Sequence, residues 1–172
     1  MMYLRILSGI FVAIVCASST HAQNIDEDFD AQEWTEQVAR LPAFPKPENL
    51  IPAQIGIEAT FSFFVDQASV DVGKDGVIRY TVVARSQAGA ENVSFEGIRC
   101  ATRERKIYAF GRPDRSWAQA RNPSWSSISS ARINPYHADL ADRYFCPQRS
   151  PVFDTASAIR NLRADRGTAP IR

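Results

Sequence analysis

This chain is poor in the residues and motifs that most enzymes use for nucleophilic, metal or phosphate chemistry. It has two histidines and three cysteines in 172 residues, and the leader described below contains His21 and Cys16. With His137 the remaining histidine, a two-histidine metal site within one mature chain is excluded. A zinc set can be drawn only from Cys100, His137, Cys146 and a carboxylate, without the close-spaced ligand pairs that mark such sites. No Gly-x-Ser-x-Gly turn and no phosphate-binding glycine loop occurs, so neither a hydrolase nucleophile elbow nor a nucleotide cradle is encoded. Charge of neither sign dominates, with 20 basic against 19 acidic residues, which argues against a dedicated nucleic-acid binder. Repeats and low-complexity tracts are missing as well. The main run of apolar and small residues, 6–17, has 12 members, below the roughly 17 to 25 that a membrane-spanning helix needs. These absences imply neither a metal nor a cofactor.

What is present begins with that run. Arg5 precedes it and the small-x-small triplet Thr20-His21-Ala22 follows it, the pattern of a secretory signal peptide cleaved near Ala22. Val15 stands before Cys16 where lipid attachment wants a small residue, so the leader does not read as that of a lipoprotein. The expected product is residues 23–172, a periplasmic or secreted chain with no transmembrane segment and the size of one domain. Asp26, Glu27, Asp28, Asp30, Glu33 and Glu36 all precede Arg40, so an acidic arm leads into a mildly basic body. In an oxidising compartment Cys100 and Cys146 are expected to form one disulfide, the alternative being two buried, unpaired thiols.

The sequence divides into the leader, an acidic and Pro-rich segment at 23–58, and one α+β domain at 59–172. Asp30-x-x-Glu33 resembles a capping box, and Trp34, Val38 and Leu41 recur at helical spacing, which predicts an amphipathic helix within 23–41 that lies across the body. Pro42, Pro45, Pro47 and Pro52 then predict an extended connector. Brief strands are expected at 61–65 and 69–72, and longer ones at 77–86, 92–101 and 106–111. Turns at 73–76 and 87–90 separate them. Residues 77–84 are apolar or aromatic on both faces, which makes that strand central. The stretch from Trp117 to Trp125 holds one short edge strand. Asn134-Pro135 starts a helix with Tyr136, Leu140 and Tyr144 inward, and Pro147 ends it. Asp154 caps a last helix that buries Ile159 and Leu162 and stops before Gly167. The predicted architecture is an antiparallel, curved β-meander packed by one or two short helices, with one disulfide.

Several phrases coincide with a known pattern: Trp34 with Leu41-Pro42, Pro47-Glu48-Asn49-Leu50, Phe64-Val65-Asp66, Gly76-Val77-Ile78-Arg79-Tyr80-Thr81, Glu96-Gly97-Ile98-Arg99-Cys100, Tyr108-Ala109-Phe110-Gly111 and Tyr144-Phe145-Cys146-Pro147. Over residues 29–163 the chain resembles the cryptic neisserial protein (CNP1-like) family. The resemblance implies an exported domain of uncharacterised function in which the two cysteine phrases match.

Candidate chemistry is sparse. Cys100 with His137 and Asp139 is the one set that can be written as nucleophile, base and orienting acid, and it requires Cys100 to escape pairing. His137 itself falls on the first turn of its helix, where a surface or partly packed imidazole is expected. Glu96 and Arg99 lie three apart on one strand, hence on opposite faces, and do not form an acid and base pair. Arg99 shares parity with Val93 and Phe95, so its guanidinium points to a packed face and needs a partner there. Arg103, Arg105, Lys106, Arg112, Arg115 and Arg121, interleaved with Tyr108, Trp117 and Trp125, outline a basic aromatic surface. The leading functional reading is therefore a non-catalytic domain that binds an unknown cell-envelope protein or polymer. Its candidate contact residues are Arg99, Tyr108, Arg112, Trp117, Arg121 and Trp125. The alternative is a small thiol-dependent hydrolase using Cys100 and His137.

Overall fold

The stretch with apolar residues on both faces becomes the middle of the sheet. The computed structural model describes residues 33–56, 61–128 and 136–164. The chain divides into two units, Met1–Glu33 and Trp34–Arg172, and the architecture below belongs to the second. Its strands are β1 (Leu50–Ala53), β2 (Phe61–Val72), β3 (Val77–Ser86), β4 (Glu91–Arg99), β5 (Glu104–Gly111), β6 (Trp117–Gln119) and β7 (Ser126–Ser127). They form one antiparallel meander in the order β1-β2-β3-β4-β5-β6, with β7 pairing the start of β5 and β6 its end. Seven consecutive residues of β3, from Val77 to Val83, are buried, as expected of a strand whose two faces are both covered.

Local chemistry closes the hairpins where the sequence places them. Gly76 (φ 74°) and Gly89 (φ 85°) adopt the left-handed conformation that only glycine accepts without strain. The turns are closed by the Gly73 amide on the Val77 carbonyl and the Ser86 amide on the Ala90 carbonyl, both at 2.9 Å. The two brief strands expected at 61–65 and 69–72 are instead one long strand broken by a bulge. Asp66 pairs with Thr81 and Asp71 with Arg79, so four residues of β2 oppose Tyr80 alone. Ser69 stitches the bulge, its hydroxyl donating to the Asp66 carbonyl and accepting from the Thr81 amide, each at 2.8 Å.

One face of the sheet packs against α1 (Tyr136–Asp139), which continues as a wider π-turn over Leu140–Phe145, and against α2 (Thr155–Ala164). The π-turn ends with the Cys146 amide on the Ala141 carbonyl at 2.7 Å. It places Leu140, Ala141, Tyr144 and Phe145 all inward, against Ile51, Val65, Ile78, Tyr80 and Ile98. Asp154 caps α2 as expected, accepting from the Ser157 amide at 2.7 Å. Leu162 is fully buried and Ile159 packs at the core's margin. Cys100, just past β4, and Cys146, at the end of the π-turn, are joined, with sulfurs 2.14 Å and Cα atoms 5.4 Å apart.

The amino-terminal helix is corrected. Residues 34–46 form neither helix nor strand, and Val38, one of its expected inward positions, is 90% exposed. Residues 23–32 of that expectation, the leader, Asn134-Pro135 and Gly167 lie outside the described residues. The Pro-rich connector is extended at first but finishes as a 3-10 turn, Pro47–Asn49, and then as β1, with Pro52 exposed on the outer strand of the sheet, a place where its missing N–H costs nothing.

Candidate functional site

Among the described residues no helix covers the second face of the sheet. It carries Phe95, Gly97, Arg79, Tyr108 and Lys106, and residues 34–45 run across these as an extended arm held by side chains. An extended segment outside a ladder has backbone donors and acceptors that need partners. Here the Gln37 amide donates to Asp75 Oδ2 at 2.8 Å, and the Gln37 carbonyl accepts from Arg79 Nη2 at 2.9 Å. The Pro42 carbonyl accepts from Trp117 Nε1 and the Pro45 carbonyl from Arg115 Nη2, both at 2.9 Å. Close approach is built in at two glycines. A Cβ on Gly97 would fall 2.7 Å from the Tyr108 hydroxyl, and one on Gly111 would fall 2.9 Å from the Phe44 ring.

The arm is anchored by Trp34 and Glu36. Trp34 donates through Nε1 to the Asp75 carbonyl at 2.8 Å, stands edge-on to Trp125, and is covered by the Arg99 guanidinium 3.7 Å from its ring centre. Glu36 accepts three hydrogen bonds, from Lys106 Nζ at 2.7 Å, the Tyr108 hydroxyl at 2.8 Å and Trp125 Nε1 at 3.1 Å. Burial pushes the Glu36 carboxyl up, but those bonds and the Lys106 charge outweigh it and hold it below the ordinary range. Burial and Glu36 together raise the Tyr108 hydroxyl, which therefore stays a donor. Under the arm's start, Arg79 and Asp75 form a buried two-bond ion pair with distances of 2.7 and 3.2 Å. Together these groups read an extended aromatic-x-acid segment, Trp34-Thr35-Glu36, within the same chain. Glu36→Ala is expected to release the arm at a cost of about 1.5 to 3 kcal/mol, the worth of hydrogen bonds to a charged group. Limited proteolysis within residues 34–46 checks it, and unchanged protection there would count against the anchor.

A second cluster lies on the helical face, around Glu96 of β4, which has no solvent exposure. Its Oε1 accepts from the Ser94 hydroxyl at 2.6 Å and the Tyr136 hydroxyl at 2.9 Å. Its Oε2 accepts from the Tyr80 hydroxyl at 3.0 Å and meets His137 Nε2 at 2.9 Å. An ionised carboxylate can only accept, so the proton in each contact belongs to the partner and Nε2 of His137 carries one. Burial pushes Glu96 up, while the His137 contact and charge, with the Ser94 and Tyr136 bonds, more than offset it and leave it lowered. Burial first, and the Glu96 charge second, raise the Tyr80 and Tyr136 hydroxyls. The carboxylate's acceptor capacity is used within the protein, so this knot ties β3, β4 and α1 together and is not assigned as a reacting centre.

Comparison with known proteins agrees with this chain's phrases. The model of the CNP1-like family matches residues 29–163. The chain belongs to the CNP1-like family. It is 26% identical over 166 residues to cryptic neisserial protein 1 of Neisseria gonorrhoeae (strain ATCC 700825 / FA 1090), covering 87% of this chain and 81% of that protein. No solved structure matches.

In this CNP1-like chain the phrases that carry the resemblance contribute to both clusters. Glu96-Gly97-Ile98-Arg99-Cys100 contributes the knot's acid, the glycine beneath Tyr108, the cation over Trp34 and one half of the disulfide. The sequence-derived surface residues divide in two. Arg99, Tyr108, Trp117 and Trp125 meet the arm, whereas Arg112 and Arg121 are exposed at either end of β6. Arg103 pairs with Asp142 of the π-turn, and Arg105 shares a face with Ile98 beside the Glu96 knot. Arg99 does face the side of Phe95 as expected, and its partners are the Trp34 ring and Glu104 at 4.0 Å.

Two expectations are overturned. His137 is neither a surface nor a partly packed imidazole; it is buried, 6% exposed, and committed to Glu96. The set Cys100, His137 and Asp139 is not assembled as a catalytic unit. Cys100 is bonded to Cys146, His137 to Glu96, and Asp139 accepts from the Gly56 amide at 2.9 Å. The same commitments remove the zinc set, and the described residues contain no group of three or more His, Cys, Asp and Glu placed to hold a metal. Sequence reasoning missed Glu36, Asp75, Arg79 and Glu96 as site residues. The available signal was Arg79, a charged residue inside a strand that is apolar on both faces, where it needs a partner.

Proposed function

We propose that this CNP1-like protein is an exported, non-catalytic domain, periplasmic or secreted after cleavage near Ala22, that binds a partner in the cell envelope. The observation that carries the reading is the Cys100–Cys146 pair at bonding distance. Disulfides persist in oxidising compartments, and a bonded Cys100 is no nucleophile. The contact surface we assign to the partner is the outer edge at β6, where Arg112 and Arg121 are exposed and Phe110 keeps 48% of its surface in solvent.

Three measurements test it together. Cell fractionation with amino-terminal sequencing is expected to find chains starting at residue 23 outside the cytoplasm. Alkylation of the purified protein without reductant is expected to modify no thiol. A photo-crosslinker at position 121 is expected to yield an envelope-protein adduct that the same crosslinker at Phe153, itself 94% exposed, does not. Cytosolic protein with the leader attached and three reactive thiols, Cys16 among them, would overturn export, and identical adducts from both positions would overturn the surface.

A further inference from the structure

Between the arm and the bulge of β2 lies a cleft of about 660 Å3, a volume in the range that holds a small molecule. Its lining is mixed. Val38, Val70 and Phe95 are apolar, whereas Arg40, Asp71 and Arg79 are charged. Residues 68–71, in and just past the bulge, make one wall and the arm makes the other, with Arg79 and Phe95 of the sheet between them.

Two polar atoms on this face are buried without a hydrogen-bond partner, Arg79 Nε and Thr81 Oγ1. Arg79 is 4% exposed and Thr81, next to it on the same face of β3, is 0% exposed. Buried polar groups are nearly always satisfied, and of the two only Arg79 belongs to the cleft's lining, so the acceptor that is missing there is one for Arg79. The Nη1 and Nη2 groups of Arg79 are already engaged by Asp75 and the Gln37 carbonyl, and its Nε–H is left over. At the rim, Arg40 and Asp71 are exposed charges of opposite sign, and neither has a partner among the described residues.

We propose that this cleft binds a small zwitterion of the amino-acid class. The carboxylate would lie on Arg79 Nε–H and Arg40, the ammonium at Asp71, and an apolar side chain against Val38 and Phe95. A carboxylate is the acceptor that an arginine N–H bonds most strongly, and the carboxylate on Asp71 disfavours a purely anionic ligand. The site is independent of the β6 edge and of export.

The test is an NMR titration of the full mature chain, following the Arg79 Nε–H resonance and the Ser69 and Val70 amides. Three probes of one shape separate the contacts: L-leucine, 4-methylpentanoate, which lacks the ammonium, and 3-methylbutylamine, which lacks the carboxylate. L-leucine is expected to give saturable shifts at all three positions, and each truncated probe to bind at least about tenfold more weakly, the loss of one charge-assisted contact. Arg40→Gln, a change on the exposed arm, is expected to weaken L-leucine by a similar factor. Absence of a saturable shift with L-leucine would overturn the site. Equal or tighter binding of 4-methylpentanoate would overturn the zwitterion, and an Arg40→Gln variant that binds L-leucine as well as the parent would overturn the placement of the carboxylate.

Discussion

Glu96→Ala is expected to destabilise the domain by about 3 to 5 kcal/mol, the usual cost of removing one member of a buried, hydrogen-bonded charge cluster. The substitution strands four groups at once. Ser94, Tyr80, Tyr136 and His137 each lose an acceptor on the fully buried Glu96 carboxylate. Burying unpaired donors costs more than the bonds themselves contributed. Against a total stability of about 5 to 15 kcal/mol for a domain of this kind, such a loss leaves little margin. Chemical denaturation checks it, and a midpoint within error of the parent would show that the knot is dispensable.

Glu96→Gln separates charge from shape. The amide keeps one accepting oxygen and can donate to the tyrosine or serine hydroxyls, so a smaller loss is expected than for alanine. The pH dependence also changes, with a definite sign. The folded pKa of Glu96 lies below the ordinary value of 4.5. Its contribution is therefore fully present above about that pH and is lost as pH falls through the folded value. The parent should lose stability on acidification in that window, and the glutamine variant should lack this part of the loss. Equal acid sensitivity of the two proteins would exclude Glu96 as the titrating group.

What could be read in advance was local. Gly76 and Gly89 announce their turns, the Asp154 cap acts on the amide three residues away, and β3 is apolar on both faces within ten residues. The groups that build the site are not local. Trp34 meets Asp75 and Trp125, and Glu36 meets Lys106, Tyr108 and Trp125, at separations of roughly 40 to 90 residues. The spacing of Trp34, Val38 and Leu41 suits a helix, but tertiary partners for the backbone of residues 37, 42 and 45 outweigh that weak preference. Three prolines between positions 42 and 47 also remove donors that a continued helix would need. The Glu96 knot was illegible for a related reason. Strand parity correctly separates Glu96 from Arg99, but nothing within β4 tells a solvated acid from one that a helix 40 residues later will cover.

The Cys100–Cys146 link shows how one covalent contact joins the two kinds of information, because its residues were visible in the sequence and its neighbours were not. It closes a separation of 46 residues, for which loop-closure entropy predicts a stabilisation of about 4 kcal/mol. The bond ties the end of β4 to the end of the π-turn, so it also holds α1 over Glu96. Replacing both cysteines by alanine is therefore expected to lower the melting temperature by about 10 °C or more. It should also speed hydrogen exchange at Tyr136–Phe145 more than at β2 and β3, which the sheet ladder holds on both sides. A uniform loss of protection would mean that the link acts only on the unfolded chain. An unchanged melting temperature would mean that packing of Leu140, Tyr144 and Phe145 alone fixes the helical layer.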